Sequence, residues 1–137
     1  MTKKILCAID DTEHAKNAIA YAAQLSAKTG AQLALCTVNA LTGGLRGPQI
    51  YTHDDAEIKK TLDSAASLAH QRGARNTSEI ELKGREISTA VIQYAEQNEF
   101  DHIVVGTGDK RGLSRLVLGS VAAEIAGRAH CTVTVAR

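Results

Sequence analysis

The chain has 137 residues, of which 44% are hydrophobic and 23% are charged, and its formal net charge is +1. This length suits one domain that buries about two thirds of its unfolded surface, so we expect a single domain over residues 1–137. A charge so near zero argues against a general binder of nucleic acid or membrane surfaces. No apolar run approaches the ~20 residues of a membrane span, and the first run, residues 5–9, is too short for a signal peptide. We therefore expect a cytoplasmic protein.

The first half of the chain alternates between apolar runs and helical repeats. Buried strands are predicted over residues 4–9 and 32–38, because these runs lack polar alternation. Asp10 and Glu13 have the spacing of a capping box at the start of a helix, and Gly30 is placed to end that helix. Residues 39–53 are rich in glycine and contain the only proline, so they are expected to form a long irregular link.

The second half continues the alternation. A helix is predicted over residues 54–72 from a single apolar stripe, and an alternating strand over 77–83 is expected at a sheet edge. A helix over 86–98 is expected to turn Ile87, Val91, Tyr94 and Ala95 inward. The last predicted elements are a strand over 102–105, a helix over 120–129 and a strand from Thr132 to Ala136. This pattern predicts an α/β fold, a parallel sheet with helices on both faces, which binds ligands where the strand order reverses.

A basic, glycine-containing segment joins the fourth predicted strand to the last helix. Gly106 ends the strand, and Gly119-Ser120 opens the helix. Glycines let backbone N–H groups approach an anion, and a helix start supplies unpaired donors with a positive dipole end. This arrangement is typical of a phosphate site. The cations between the two glycines are either phosphate ligands or ordinary solvated surface; they are Lys110, Arg111 and Arg115.

Residues 106–120 resemble the signature of the universal stress protein family, which is glycine, two residues, glycine, nine residues, glycine, then serine or threonine. Gly106 and Gly119-Ser120 fill the outer positions, whereas Asp109 stands at the second glycine and Gly108 lies one place earlier. The resemblance extends from Ile5 to the end of the chain. It implies a three-layer, doubly wound, five-stranded parallel sheet with strand order 3-2-1-4-5 and helices on both faces.

The same resemblance implies a site for ATP or another adenine nucleotide. Asp10 would hold the ribose, the backbone of Val38 would contact adenine, and the glycine loop would hold the phosphates. Magnesium could bridge Asp109 to the phosphates, since carboxylate and phosphate oxygens are its usual ligands. The full set of candidate residues is Ile9, Asp10, Val38, Gly106, Thr107, Gly108, Asp109, Arg115, Gly119, Ser120 and Val121.

Several of these residues have purely structural roles open to them. Asp10 and Ser120 are favoured helix caps, and Gly106 and Gly119 suit ordinary turns.

The three cysteines lie in strand-like stretches without a C-x-x-C pair, which favours buried reduced thiols over a zinc or redox site; they are Cys7, Cys36 and Cys131.

Functionally, the resemblance implies a stress-linked regulator that forms a homodimer through the strand from Thr132 to Ala136. A nucleotide-free docking module is the first alternative, and Asp109 favours it. A slow ATP hydrolase is the second, with only Asp10 and Asp109 near the loop as candidate general bases. The sequence contains no nucleophile elbow and no P-loop motif, so we expect a binding protein rather than an enzyme.

Overall fold

The computed structural model describes residues 1–10, 12–107 and 118–137, and these residues form a mixed sheet with helices on both faces. The strands are β1 (Lys4–Ala8), β2 (Gln32–Gly43), β3 (Gln49–Tyr51), β4 (Thr77–Gly84), β5 (His102–Gly106) and β6 (Thr132–Ala136). The helices are α1 (Ala15–Thr29), α2 (Asp55–Gln71), α3 (Ile87–Gln97) and α4 (Ser120–Arg128). None of these helices is long and apolar enough to cross a membrane.

The parallel part of the sheet has the order β4-β2-β1-β5-β6. This order confirms the predicted arrangement, in which the first strand lies between the second and the fourth of the five predicted strands. Within the described residues β4 pairs only with β2, as expected of an edge strand. After β1 the next parallel strand, β2, is added on one side, and after β5 the next strand, β6, is added on the other side. The strand order therefore reverses between β1 and β5.

The prediction of a wholly parallel, five-stranded sheet is wrong in one respect, because a sixth strand is antiparallel. β2 continues to Gly43, and β3 returns along it with Leu41 opposite Tyr51. Gly43 and Gly44 adopt φ of 77° and 101° at the turn, a conformation that glycine reaches without steric cost. The irregular link predicted over residues 39–53 is therefore largely a hairpin.

The sheet separates two apolar clusters, because alternate side chains of each strand point to opposite faces. Ile5 and Cys7 of β1 pack with α1 and α2, whereas Leu6 packs with α3 and α4. The inward prediction for α3 holds at Val91 and Ala95, which are buried, but fails at Ile87, which is 40% exposed. Ile87 is the first residue of α3 and lies at the margin of a cleft rather than in the core.

Capping interactions mark the end of α1 and the start of α2. Gly30 ends α1 in the left-handed conformation, as predicted, and its N–H donates to the Ser26 carbonyl. α2 begins with a complete capping box between Asp54 and Glu57, which fixes the residues just before this helix.

Two of the three cysteines have the expected buried thiols. Cys7 and Cys36 are fully buried, and burial raises the pKa of Cys36 to about 12 and the pKa of Cys7 further still. Cys131 is only partly buried, contrary to the prediction, because it lies just outside β6. Burial also raises the pKa of the Cys131 thiol, so all three thiols are held in the protonated form.

Candidate functional site

A cleft of about 430 Å³ opens beyond the carboxyl ends of β1 and β5 and beside Thr37, Val38 and Ala40 of β2. Parallel strands bring these ends to one edge of the sheet, and the reversal of strand order between β1 and β5 leaves a crevice there. The Ile9 N–H donates to the Cys36 carbonyl at 2.8 Å, which extends the β1–β2 ladder up to the cleft. Asp10 therefore emerges directly at the end of the sheet.

The cleft brings together most of the residues that the sequence singled out. The lining includes Ile9, Asp10, Val38, Gly106, Thr107, Gly119, Ser120 and Val121. The remaining three candidates, Gly108, Asp109 and Arg115, lie outside the described residues. The strand order thus unites positions that are more than a hundred residues apart in the sequence.

Asp10 does not cap α1, so the capping-box interpretation of Asp10 and Glu13 is wrong. α1 begins later, at Ala15, after turns in which the Ala15 N–H donates to the Thr12 carbonyl at 3.2 Å. One Asp10 carboxylate oxygen instead accepts hydrogen bonds from the Thr12 N–H at 2.9 Å and the Thr12 hydroxyl at 2.6 Å. Glu13 pairs with Lys16 at 3.0 Å. The local turn anchors the Asp10 carboxylate at the cleft while its side chain stays exposed.

Gly106 marks a close approach between the end of β5 and the start of α1. A Cβ atom added there would lie 3.0 Å from the His14 carbonyl oxygen, so the backbone at His14, just before α1, would have to shift by a few tenths of an ångström. His14 and Ala15 also line the cleft. The absence of a side chain at Gly106 therefore sets the position of one wall of the cleft.

The first turn of α4 supplies the wall beside β5. Gly119 is the N-cap residue, with extended backbone at φ −64° and ψ 156°, and among the residues that the structure describes no side chain caps the helix. Ser120 is the first helical residue, so the alternative role of Ser120 as the cap is wrong. Residues 119–122 line the cleft, so the helix presents its N-terminal N–H groups and the positive end of its dipole there.

The opposite wall was missed by the sequence analysis. It comes from the segment that follows β3 and from α2, and it contributes Thr52, His53, Glu57, Ile58 and Thr61 to the lining. The segment was predicted to be an irregular link, and that prediction did not indicate where it lies relative to the sheet. The Asp54-x-x-Glu57 pattern was the available signal, because a capping box fixes how the chain enters a helix.

Asn39 holds this wall in place. Its side chain is 2% exposed and bonds both backbone groups of His53: Oδ1 accepts from the His53 N–H at 3.0 Å, and Nδ2 donates to the His53 carbonyl at 2.8 Å. Nδ2 also lies 3.2 Å from a carboxylate oxygen of Glu81 on β4. A single buried amide thus ties the wall of the cleft to the sheet.

The electrostatics of the described lining are mildly acidic. Its carboxylates are Asp10 and Glu57, and the described part of the lining contains no lysine or arginine. The hydrogen bond from His53, followed by that from the Asp54 backbone, lowers the pKa of Glu57. The sequence places Lys110, Arg111 and Arg115 between Gly106 and Gly119, outside the described residues.

Comparisons with known proteins assign the chain to a family. Residues 1–137 match the model of the universal stress protein family. A universal stress protein of Methanocaldococcus jannaschii is 35% identical over 81 residues, an alignment that covers 59% of this chain and 46% of that relative. The chain is thus aligned with less than half the length of this relative.

Solved structures with the same fold include two nucleotide complexes. A universal stress protein in complex with cAMP has a TM-score of 0.80 at 22% identity, over 99% of this chain and 97% of that one. The universal stress protein of Archaeoglobus fulgidus in complex with dAMP has a TM-score of 0.72 at 24% identity, over 98% of each chain. Because the family model spans the chain from its first residue to its last, the protein belongs to the universal stress protein family.

Proposed function

We propose that this chain binds an adenine nucleotide, ATP in the first instance, in the cleft at the carboxyl ends of β1 and β5, and acts as a stress-linked cytoplasmic regulator. The observation that carries the proposal is the meeting of Asp10, Gly106 and the N-terminus of α4 around one cleft. Its volume of about 430 Å³ lies within the range of small-molecule sites. The complexes of structurally similar proteins with cAMP and dAMP support adenine as the base.

The chemistry of the walls suggests how the nucleotide lies. The N–H groups at the start of α4 suit the phosphates, and the Asp10 carboxylate suits a ribose hydroxyl. The base would then extend toward β2, where Val38, Ala40 and Ile58 offer apolar surface. In the same proposal Asp109 would help to hold a magnesium ion, which would supply positive charge to the triphosphate.

Native mass spectrometry of freshly purified protein tests the proposal through the mass of retained nucleotide. Titration calorimetry with ATP, with magnesium and with a chelator, gives the affinity. If neither method detects nucleotide under either condition, the protein is a nucleotide-free docking module. We propose binding without turnover, so phosphate release followed over hours should stay at the level of the buffer; release proportional to protein concentration would make it a slow hydrolase.

The ribose contact gives the first prediction. Asp10→Ala should weaken ATP binding about 10- to 100-fold, because a hydrogen bond to a charged group contributes roughly 1.5–3 kcal/mol. Thr12→Val is the matched control, since it removes a partner of the carboxylate in the turn but keeps the carboxylate. Titration calorimetry measures the ATP affinity of both variants. Lost stability with intact affinity in Asp10→Ala would limit Asp10 to its turn with Thr12.

The homodimer is proposed through the free edge of β6. This strand pairs with β5 and, within the described residues, ends the sheet. Val133 and Val135 are only partly buried in the single chain, and an apolar edge strand of this kind tends to pair with another strand. We expect two copies to join here, antiparallel across a two-fold axis.

Val133→Pro tests this assembly. Proline removes a backbone donor and does not fit a sheet interior, so the variant should be monomeric or insoluble. Thr132→Lys, which retains the backbone donor and places a charge on the exposed first residue of β6, should give a folded protein with a weaker dimer. Sedimentation velocity measures both. A dimer of unchanged strength in the two variants would rule out β6 as the interface.

A further inference from the structure

The wall formed by the start of α2 carries a histidine whose position is fixed more firmly than its partial exposure suggests. Both backbone groups of His53 are bonded to the buried Asn39 side chain, at 3.0 and 2.8 Å. His53 precedes Asp54, the N-cap of α2, and lines the cleft. A loop residue held in this way presents its ring at a defined place.

Glu57 fixes which ring nitrogen carries the hydrogen. Its Oε1 accepts the Asp54 N–H at 3.2 Å as part of the capping box, and its Oε2 lies 3.2 Å from Nδ1 of His53. The His53 hydrogen bond lowers the pKa of Glu57, so this carboxylate is ionised and can only accept. Nδ1 must therefore donate, and in the neutral ring Nε2 is left as an acceptor.

The position of His53 in the sheet order places it at the base end of the proposed nucleotide. The phosphates are proposed at α4, which follows β5, whereas His53 and Ile58 belong to the wall beside β2, across β1 from there. Apolar surface from Val38 and Ala40 lies in the same part of the lining. A purine bound there would stack on these apolar atoms with one edge toward the wall.

We propose that Nε2 of His53 accepts a hydrogen bond from the 6-amino group of the purine, so that His53 selects adenine over 6-oxo purines. The inference rests on the proposed nucleotide site and adds the residue that sets its base specificity. Adenine presents a donor at this position, whereas guanine and hypoxanthine present a carbonyl acceptor. Two acceptors facing each other leave both unpaired, and that mismatch discriminates more strongly than a lost contact alone.

Comparing ATP with inosine triphosphate replaces the 6-amino donor by a carbonyl acceptor and turns N1 from an acceptor into an N1–H donor, so the part of the preference that depends on His53 is the part that His53→Phe removes. The parent protein should bind ATP about 10- to 100-fold more tightly. His53→Phe keeps a ring of similar size without the acceptor and should reduce the preference to within about threefold. His70→Phe is the matched control, since this exposed histidine lies in the last turn of α2 and bonds Thr77; it should leave the preference unchanged.

Glu57→Gln distinguishes orientation of the ring from simple support of the helix. Glutamine preserves a capping box, but its amide can also donate, so the ring is free to take the tautomer with hydrogen on Nε2. The variant should keep its melting temperature within about 2 °C and bind inosine triphosphate better relative to ATP. A structural role for Glu57 alone would not change this ratio.

Calorimetry with both nucleotides on the four proteins gives outcomes that separate the two proposals. Equal affinity of the parent for ATP and inosine triphosphate, or a preference that survives in His53→Phe, overturns the assignment of His53 and leaves the nucleotide site standing. If the parent binds neither nucleotide, the proposed function fails and the assignment fails with it. A preference that is lost in His53→Phe and reduced in Glu57→Gln supports the role of His53.

Discussion

Gly106→Val is expected to lower the affinity for ATP roughly 100-fold or more, which corresponds to about 2.7 kcal/mol of binding free energy. The Cβ atom alone would lie 3.0 Å from the His14 carbonyl oxygen, and the two methyl groups of valine extend further into the same space. Either the start of α1 or the end of β5 must move. Both carry residues of the cleft, so the displacement changes the site itself. Overpacking of this kind also costs about 1–3 kcal/mol of stability.

Gly127→Ala is the control for this prediction. A Cβ atom at Gly127, inside α4, would meet nothing within 4 Å, and alanine is favoured over glycine in a helix by about 0.5–1 kcal/mol. We therefore expect a more stable protein with unchanged affinity. Titration calorimetry and thermal unfolding are measured on both variants. Normal ATP affinity in a folded Gly106→Val protein would show that this end of β5 does not form the site.

Asn39→Ala is expected to give the largest loss of stability, about 2–4 kcal/mol, or roughly 10 °C in melting temperature. The substitution removes the bonds of Asn39 to both backbone groups of His53 and to Glu81. It also leaves a cavity, because the side chain is 2% exposed. The partly buried His53 N–H loses its partner, and leaving such a donor unpaired costs more than losing a bond between exposed groups.

Thr42→Ala is the control for the hairpin, since the Thr42 hydroxyl donates to the Ile50 carbonyl at 3.2 Å in an exposed position. Loss of this hydrogen bond should change the free energy of unfolding by no more than about 0.5 kcal/mol. Thermal unfolding compares the two variants. A loss below about 1 kcal/mol in Asn39→Ala would mean that the wall is held by α2 alone.

The sequence predicted the parallel core of the sheet because burial on both faces leaves a plain signature. The β6 boundaries, Thr132 and Ala136, were predicted correctly, and the strand order followed the family resemblance. The hairpin of β2 and β3 was not foreseen, because Gly43 and Gly44 carry the signal of irregular structure as well as that of a tight turn. Apolar residues of β3 are also exposed, as Ile50 is at 57%, so no pattern of burial marks the strand.

The candidate site was foreseen on one side only. Asp10, Gly106 and Gly119 follow strands or open a helix, and such positions reach the same sheet edge in any doubly wound fold. The position of His53 depends on a buried amide fourteen residues earlier in the chain, and no local sequence pattern indicates this contact. Ile87 shows a second limit: helical periodicity places it inward, but it faces a cleft, and periodicity does not distinguish a cleft from a core.

The state of the three cysteines has a consequence for oxidative stress. Peroxide reacts with thiolates, and sensor cysteines combine a low pKa with access to solvent. Burial raises the pKa of Cys7, Cys36 and Cys131, and the first two have no exposed surface. Oxidants should therefore leave Cys7 and Cys36 unmodified in the folded protein and react only slowly with the partly buried Cys131, so mass spectrometry after peroxide treatment should find no added oxygen on the first two sulfur atoms.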